Sequence, residues 1–259
     1  MEPGFVLAST WRAVNLAAES AGSIHDDKTA AALGFNGGFV GGVTILGQVH
    51  ETWRSLDHAP HTPARVEFKL ESPTYQDESV SIYGRSGQRE WEFVVLGEDG
   101  RKTSSGVIGA PNAWGPEGDV CEIPELQPLF DESVIQHLTF SSGDVSAYRA
   151  RAALSGEDAR KSGNAVPMGM WSNPMKPVIS ILGQTTDLLT IHRSCVIEIT
   201  AELEPDERYT METSIKEARW NPSAGRGFVR VAATYTSDDS SGPPAVRIEH
   251  KSAIRARHA

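Results

Sequence analysis

His25 is the side chain of this sequence best placed to move a proton near neutral pH. It stands in the run Ile24-His25-Asp26-Asp27, just ahead of Ala30-Ala31-Ala32-Leu33-Gly34-Phe35. An imidazole with an ordinary pKa of about 6.5 can serve as base in one direction and acid in the other. Further on, Gly37-Gly38-Phe39-Val40-Gly41-Gly42 leads into an apolar segment. Glycine keeps backbone amides bare, and bare amides at a helix N-terminus can hold an oxygen as it gains negative charge. His25 with Gly41 and Gly42 could therefore supply both halves of an acid/base and oxyanion site. Asp26 or Asp27 could orient the imidazole, although acidic residues before an alanine-rich turn more often cap a helix.

Those residues need a scaffold, and hydrophobic periodicity outlines one. Val43, Leu46, Val49 and Trp53 recur near helical period, with Ile45 widening the face. The period then switches to two: Val66, Phe68 and Leu70 alternate with Arg65, Glu67, Lys69 and Glu71. Val80 and Ile82, then Trp91, Phe93 and Val95, a Gly97-Glu98-Asp99-Gly100 turn and Thr103 to Ile108 continue it. One central helix followed by about four antiparallel strands is expected from this succession. The same order returns later. Val178 to Gln184 opens a helix expected to end near Ile191, and Cys195, Ile197 and Ile199 then alternate with Val196, Glu198 and Thr200. Tyr209 to Ile215, Val229 to Tyr235 and Val246-Ile248 come next as strands. Ile45-Leu46-Gly47-Gln48 and Ile181-Leu182-Gly183-Gln184 are the same tetrapeptide, placed alike in the two halves. Residues 1–110 and 129–259 are thus expected to be two copies of one plan, joined by a proline-bearing linker over 111–128.

Composition bounds the function. The chain has 259 residues and a mass of 28.0 kDa, enough for a sizeable core. A formal charge of -10 argues against a nucleic-acid partner. Cys121 and Cys195 are too few for a disulfide framework or a zinc site of their own, which suits a reducing cytoplasmic setting. Thr29 to Val49 carries no charge over 21 residues, but six glycines inside it are incompatible with one membrane-spanning helix. No His/Cys/Asp cluster suggests a metal, and no phosphate or dinucleotide fingerprint suggests a cofactor. The basic run from Lys251 to His258 reads as a solvated terminus.

A helix wrapped by an antiparallel sheet, present twice, is an α+β double hotdog. Within that plan the run from Ile24 to Gly42 resembles the MaoC-like hydratase/dehydratase family, in which a histidine loop precedes an alanine-rich turn and a glycine-rich approach to the central helix. The motif covers about 25 residues, and the fold-level similarity covers nearly the whole chain. The resemblance implies that His25 is the catalytic histidine and Gly42 the oxyanion glycine. Ser20, Gly37, Phe39 and Gly41 would line the substrate site. It also implies a lyase that hydrates or dehydrates an enoyl or β-hydroxyacyl thioester, its substrate CoA- or carrier-linked and its soluble form compatible with a homodimer.

The sequence departs from the family pattern where an aspartate five residues before the histidine would share the reactive water. Ser20 stands there, with Gly22 and Ser23 where asparagine and proline are usual, and Glu19 is one residue out of place. In the second half Asp144 matches the aspartate, while Arg149 stands at the histidine position. The second half also replaces the bare glycines with Met168-Gly169-Met170-Trp171-Ser172-Asn173-Pro174-Met175-Lys176-Pro177. Trp171 and its neighbours are either packing or an apolar wall for an acyl or polyketide-like ligand. A single working site in the first half follows from either. Losing the aspartate while keeping the histidine suits a rival reading: a tailoring enzyme that cyclises, isomerises or eliminates on a free small molecule. A non-catalytic partner subunit is the third reading. A thioesterase is disfavoured, because the central helix carries no acidic residue before Glu51.

Overall fold

The computed structural model describes residues 3–20, 22–56, 64–110, 120–152, 164–185 and 187–256. After strand β1 (Val6–Arg12) come a short helix α1 (Asp27–Ala32) and the central helix α2 (Gly42–Arg54). Strands β2 (Ala64–Leu70), β3 (Ser79–Ser86), β4 (Glu90–Leu96) and β5 (Lys102–Gly109) complete the first copy. The second copy begins with β6 (Val120–Cys121), a 3-10 turn over Pro124–Leu126, α3 (Gln127–Asp131), β7 (Val134–Thr139) and α4 (Ser142–Arg151). It continues with α5 (Met168–Trp171), α6 (Lys176–Thr185), and the long strands β8 (Leu188–Ile199), β9 (Arg208–Asn221), β10 (Arg226–Ser237) and β11 (Val246–Ala256).

All of these strands belong to one sheet, ordered β1-β3-β4-β5-β2-β8-β11-β10-β9-β6, with β7 also paired to β9. The duplication shows directly in that order. Reading outward from the β2–β8 seam, β5, β4, β3 and β1 on one side match β11, β10, β9 and β7 on the other. The seam is antiparallel, with Val66 opposite Ile197 and Phe68 opposite Cys195. The double hotdog expected from the periodicity is the fold observed.

Differences from the sequence reading have local causes. The second helix stops at Thr185 rather than near Ile191, because Leu188 already pairs with Ala256 in the sheet. The basic run from Lys251 is not a loose tail as far as Ala256: it is the end of β11, hydrogen-bonded to β8 and β10. Of the expected linker, residues 111–119 lie outside the described residues, and 120–128 holds β6, the 3-10 turn and the start of α3. Among described residues both cysteines are free.

The two central helices differ in cover. Every residue of α2 except Val43 is buried, because α5 lies across the face that the sheet leaves open. Gly47 permits this: a Cβ there would stand 3.2 Å from the Gly169 nitrogen. In α6, Val178 and Leu182 are buried, whereas Ile179 is 46% exposed and Gly183 meets nothing within 4 Å. The shared tetrapeptide therefore sits in two environments. Ile45, Leu46, Val49, Trp53, Val66 and Ile197 share one core with residues of both copies, and Val178 and Leu182 belong to a second.

Because the main core crosses the seam, the copies should unfold together. Ile197→Ala removes a fully buried side chain and should lower stability by about 3 kcal/mol. Urea unfolding monitored by tryptophan fluorescence and far-UV circular dichroism should still give one coincident transition. Two separated transitions would show that the halves are independent.

Candidate functional site

The loop carrying His25 is fixed from several sides. Asn15 donates from its side-chain amide to the His25 carbonyl at 2.8 Å, and the Ile24 carbonyl accepts from Phe39 N at 2.9 Å. Asp27 accepts from Gly38 N at 2.7 Å, tying α1 to the glycine run. Gly38 must be glycine, since a Cβ would stand 2.1 Å from the His25 carbonyl oxygen. Val40 N donates to the Thr74 carbonyl at 2.8 Å, which anchors the other end of the run.

This bracing sets the imidazole. His25 Nδ1 lies 2.8 Å from the Phe39 carbonyl oxygen. A carbonyl only accepts, so Nδ1 carries the proton and Nε2 holds the lone pair. Burial lowers the His25 pKa below the ordinary histidine value, and the bond to the Phe39 oxygen restores part of the loss. At neutral pH the ring is therefore an unprotonated base of fixed tautomer.

Beside it begins α2. Its N-cap, Gly41, offers no side-chain cap, so the first amides of α2 are the unpaired donors every helix start presents. A Cβ on Gly41 would stand 3.8 Å from His25 Cε1. At Gly42 the approach is closer still: a Cβ would be 2.4 Å from Leu70 Cδ1 and 2.6 Å from His192 Nδ1.

His25, Phe39, Gly41 and Gly42 line a cavity of about 510 Å³. Its opposite wall comes from the second copy, through Met175, Ile179, Thr190, His192 and His250. Ile24, Phe39 and Leu189 form a small apolar cluster beside it, with Phe35 edge-on to Phe39 at 4.6 Å. The site expected to lie within the first half is thus closed by both halves. Glu71, an acidic residue that lines the cavity, is occupied: Lys102 lies at 2.9 Å and Ser105 donates at 2.6 Å. Burial alone would raise its pKa, but these partners outweigh it and the net shift is downward.

Other residues singled out in the sequence lie elsewhere. Asp26 is the N-cap of α1, accepting from Thr29 N at 3.0 Å and Thr29 Oγ1 at 2.7 Å, and these bonds lower its pKa. It does not touch the imidazole through any described bond. Ser20 and Glu19 are exposed on the preceding turn and do not line the cavity. Gly37 does not line the cavity; a Cβ there would stand 3.3 Å from Asp27 Oδ1. Trp171 is 4% exposed in the main core, donating to the Val166 carbonyl at 3.1 Å, so its bulk is packing rather than pocket wall. Asp144 is exposed in the first turn of α4, bonded to Ser141, and Arg149 donates to the Ala165 carbonyl. Among the described residues no group of three or more His, Cys, Asp or Glu could hold a metal.

His192 was not visible in the sequence pattern, and the reason is a β-bulge; His250, by contrast, continues the regular alternation of Val246 and Ile248 in β11. Ser194 pairs with Lys251 and His192 with Ser252, leaving Arg193 as one extra residue in β8. Strict alternation back from Cys195 would put Arg193 inside. The bulge instead turns His192 to the inner face, level with Ser252 and one step from His250.

No family model matches the chain, and no curated protein sequence does. Solved structures do resemble it in fold. One is a putative MaoC domain protein dehydratase from Chloroflexus aurantiacus J-10-fl, with TM-score 0.64 and 11% identity over 97% of this chain and 94% of that one. A conserved hypothetical protein of Mycobacterium tuberculosis with a double hotdog fold gives TM-score 0.57 and 12% identity over 98% and 100%. A monomeric dehydratase domain from a trans AT polyketide synthase split module gives 0.51 and 10% over 85% and 90%. The chain is a double hotdog protein whose structural neighbours include MaoC-like dehydratases. At such identities the likeness establishes the fold, and the chemistry has to come from the site.

The close approach at Gly42 is directly testable. Gly42→Ala should cost about 2 kcal/mol in urea unfolding through overpacking against Leu70 and His192. Adding Leu70→Ala should recover part of the loss, because it removes one of the two clashes. An unchanged midpoint for Gly42→Ala would mean that the walls are not in contact there.

Proposed function

We propose that this protein is a lyase of the MaoC-like hydratase/dehydratase type, acting on an enoyl or β-hydroxyacyl thioester with His25 as its acid/base. The observation that carries this reading is the fixed tautomer of His25, with its basic Nε2 held beside the bare N-terminus of α2 in an apolar-walled cavity. In the dehydrating direction Nε2 takes the proton from the carbon next to the thioester carbonyl. The negative charge moves onto the carbonyl oxygen, which the amides at Gly42 stabilise along with the helix dipole. As the β-hydroxyl leaves, the imidazolium returns the proton to it, so one water is formed and the base is regenerated. Hydration is the same path reversed. A one-base scheme suits this site, since the position of the family's aspartate, Ser20, is exposed and off the cavity.

The rim supports a charged carrier on the substrate. Arg193 and Arg255 line the cavity and are exposed, and neither makes an ion pair with a described residue. In a chain of net charge -10, a positive rim favours an anionic group such as a phosphate or carboxylate. A second reading, isomerisation or elimination on a free small molecule in the same cavity, draws support from the lack of a free carboxylate beside His25 among the described residues. No helix among those residues is long and apolar enough to cross a membrane.

Turnover of crotonyl-CoA, measured as loss of enoyl absorbance, tests the leading reading. His25→Ala should lower kcat by about a hundredfold or more. No turnover by the wild-type protein at high concentration would reject the hydratase form and favour the second reading.

The pH profile follows from the direction of the His25 shift. The base acts when unprotonated, and burial lowers its pKa, so activity should persist into more acidic solution than a free histidine allows. The acid limb of kcat/KM should have an apparent pKa below about 6.5. A limb above that value would place the working proton on another group.

A further inference from the structure

The cavity lies where β2 and β8 diverge. β2 pairs with β8 only from Ala64 opposite Ile199 to Lys69 opposite Ser194, whereas β8 goes on pairing with β11 as far as Leu188. Beyond Lys69 the first copy's chain turns away from the seam. Glu71 N and Ser72 N donate to the Thr103 carbonyl at 2.9 and 3.2 Å, and the Thr74 carbonyl accepts from Val40 N at 2.8 Å. In β8 the bulge at Arg193 marks the same level. Residues 70–74 and 190–193 all line the cavity.

The run from Leu188 to Arg193 therefore has one paired edge and one open edge. Backbone groups of an antiparallel strand alternate between its edges, so every second residue here turns its N–H and C=O away from β11. Among the described residues nothing but β11 pairs with this run, and no other hydrogen bond reaches its backbone. An open strand edge is a template for another extended chain. This one runs along a cavity whose walls include the apolar residues Ile24, Phe39 and Ile191.

We propose that this open edge of β8 holds the carrier arm of the substrate, a phosphopantetheine chain lying along Leu188 to Arg193 as a short added strand. This rests on the acyl-site reading given above and specifies how its carrier is recognised. Both ends of the run fit. The His192 end lies against Gly42, where the bare amides of α2 begin and the thioester belongs. At the other end Leu189 pairs with Arg255, an exposed residue that lines the cavity and makes no ion pair with a described residue. His192 to Leu188 spans about 14 Å at the ~3.4 Å rise of a strand. A phosphopantetheine arm measures about 16 Å from sulfur to phosphorus, at an extended chain's ~3.6 Å per three bonds. Its two secondary amides each bring one donor and one acceptor to the edge, and its phosphate reaches Arg255.

Thioesters that differ only in the arm test this. S-crotonyl-N-acetylcysteamine carries the first amide, and its ester isostere puts an oxygen in place of the amide N–H at the same length. The amide compound should have kcat/KM about fivefold higher, and crotonyl-pantetheine, with both amides, about fivefold higher again. Equal kcat/KM for amide and ester would overturn the proposal. Arg255→Gln should raise KM severalfold more for crotonyl-CoA than for crotonyl-pantetheine, which has no phosphate. Equal changes would overturn the placement of the phosphate.

Backbone amide exchange followed by 15N NMR reads the edge directly and needs no turnover. In the free protein alternate amides between Leu188 and Arg193 should exchange fast. Saturating butyryl-pantetheine, which cannot react, should slow them about tenfold or more. S-ethyl thiobutyrate, which has no amide, should leave them unchanged. Protection by butyryl-pantetheine without turnover of crotonyl-CoA rejects the hydratase reading and upholds the role of the edge. Turnover with no added protection rejects the edge and leaves the hydratase reading intact. No binding of butyryl-pantetheine overturns the edge proposal whatever the turnover.

Discussion

The absence of a side chain at Gly42 is the constraint on which the site depends. The first turn of α2 lies against two elements at once, Leu70 at the end of β2 and His192 in β8. Those strands are the two sides of the seam, so the helix start reports on how the copies are joined. A side chain there would push the helix off the seam, open the main core beneath Ile45 and Leu46, and separate the amides of α2 from the wall that faces them. The same bare backbone that lets helix and seam meet also leaves donors free to hold an oxygen. Packing and the proposed chemistry therefore favour the same residue type, and neither use excludes the other.

Duplication and later divergence explain the lopsided arrangement of the halves. In the first copy the approach to the central helix is stripped to glycine, and the His25 loop folds over it through Ile24, Asp27 and Asn15. In the second copy the matching stretch holds bulk. Met168 and Trp171 fill the core beside α2, and Tyr235 donates to the Trp171 carbonyl at 2.8 Å, locking α5 in place. Beyond α5, Asn173, Met175 and Ile179 become the far wall of the first copy's cavity. The second half's own approach is closed, and its residues complete the wall of the cavity beside the first.

Much of this was legible in the sequence, for physical reasons that can be named. The alternation of Val66 and Phe68 survives in the structure, because one face of β2 is buried against the core. The helix expected over Val43 to Trp53 is there too, but it is buried on all sides and Val43 is its one part-exposed residue. His25 and the glycines stood out since their chemistry and spacing are local. Trp171 was less tractable: a large apolar residue looks alike whether it lines a cavity or fills a core, and here tertiary packing decides. The two halves' shared cavity was hidden for another reason. Periodicity describes an element and not its neighbours, so it could not show that β8 lies beside β2. It also breaks at Arg193, where one extra residue reverses the faces of all that precedes it, and His192 was on the wrong side of that break.

The missing aspartate then takes on a definite meaning. A carboxylate sharing the cavity with His25 would hold a proton on the ring by charge, raising its pKa toward or above the ordinary value. This cavity does the opposite. Its acidic lining residue, Glu71, is neutralised by Lys102, and burial leaves His25 and His192 uncharged. On the proposed reading, charge appears only during the reaction: a cation on His25, and an anion on the oxygen at α2. Opposite charges generated together within one apolar cavity attract each other strongly, because little water is present to screen them. On that reading the work falls to donors around the oxygen rather than to a fixed charge beside the histidine, and the close approach at Gly42 keeps that stretch of backbone bare.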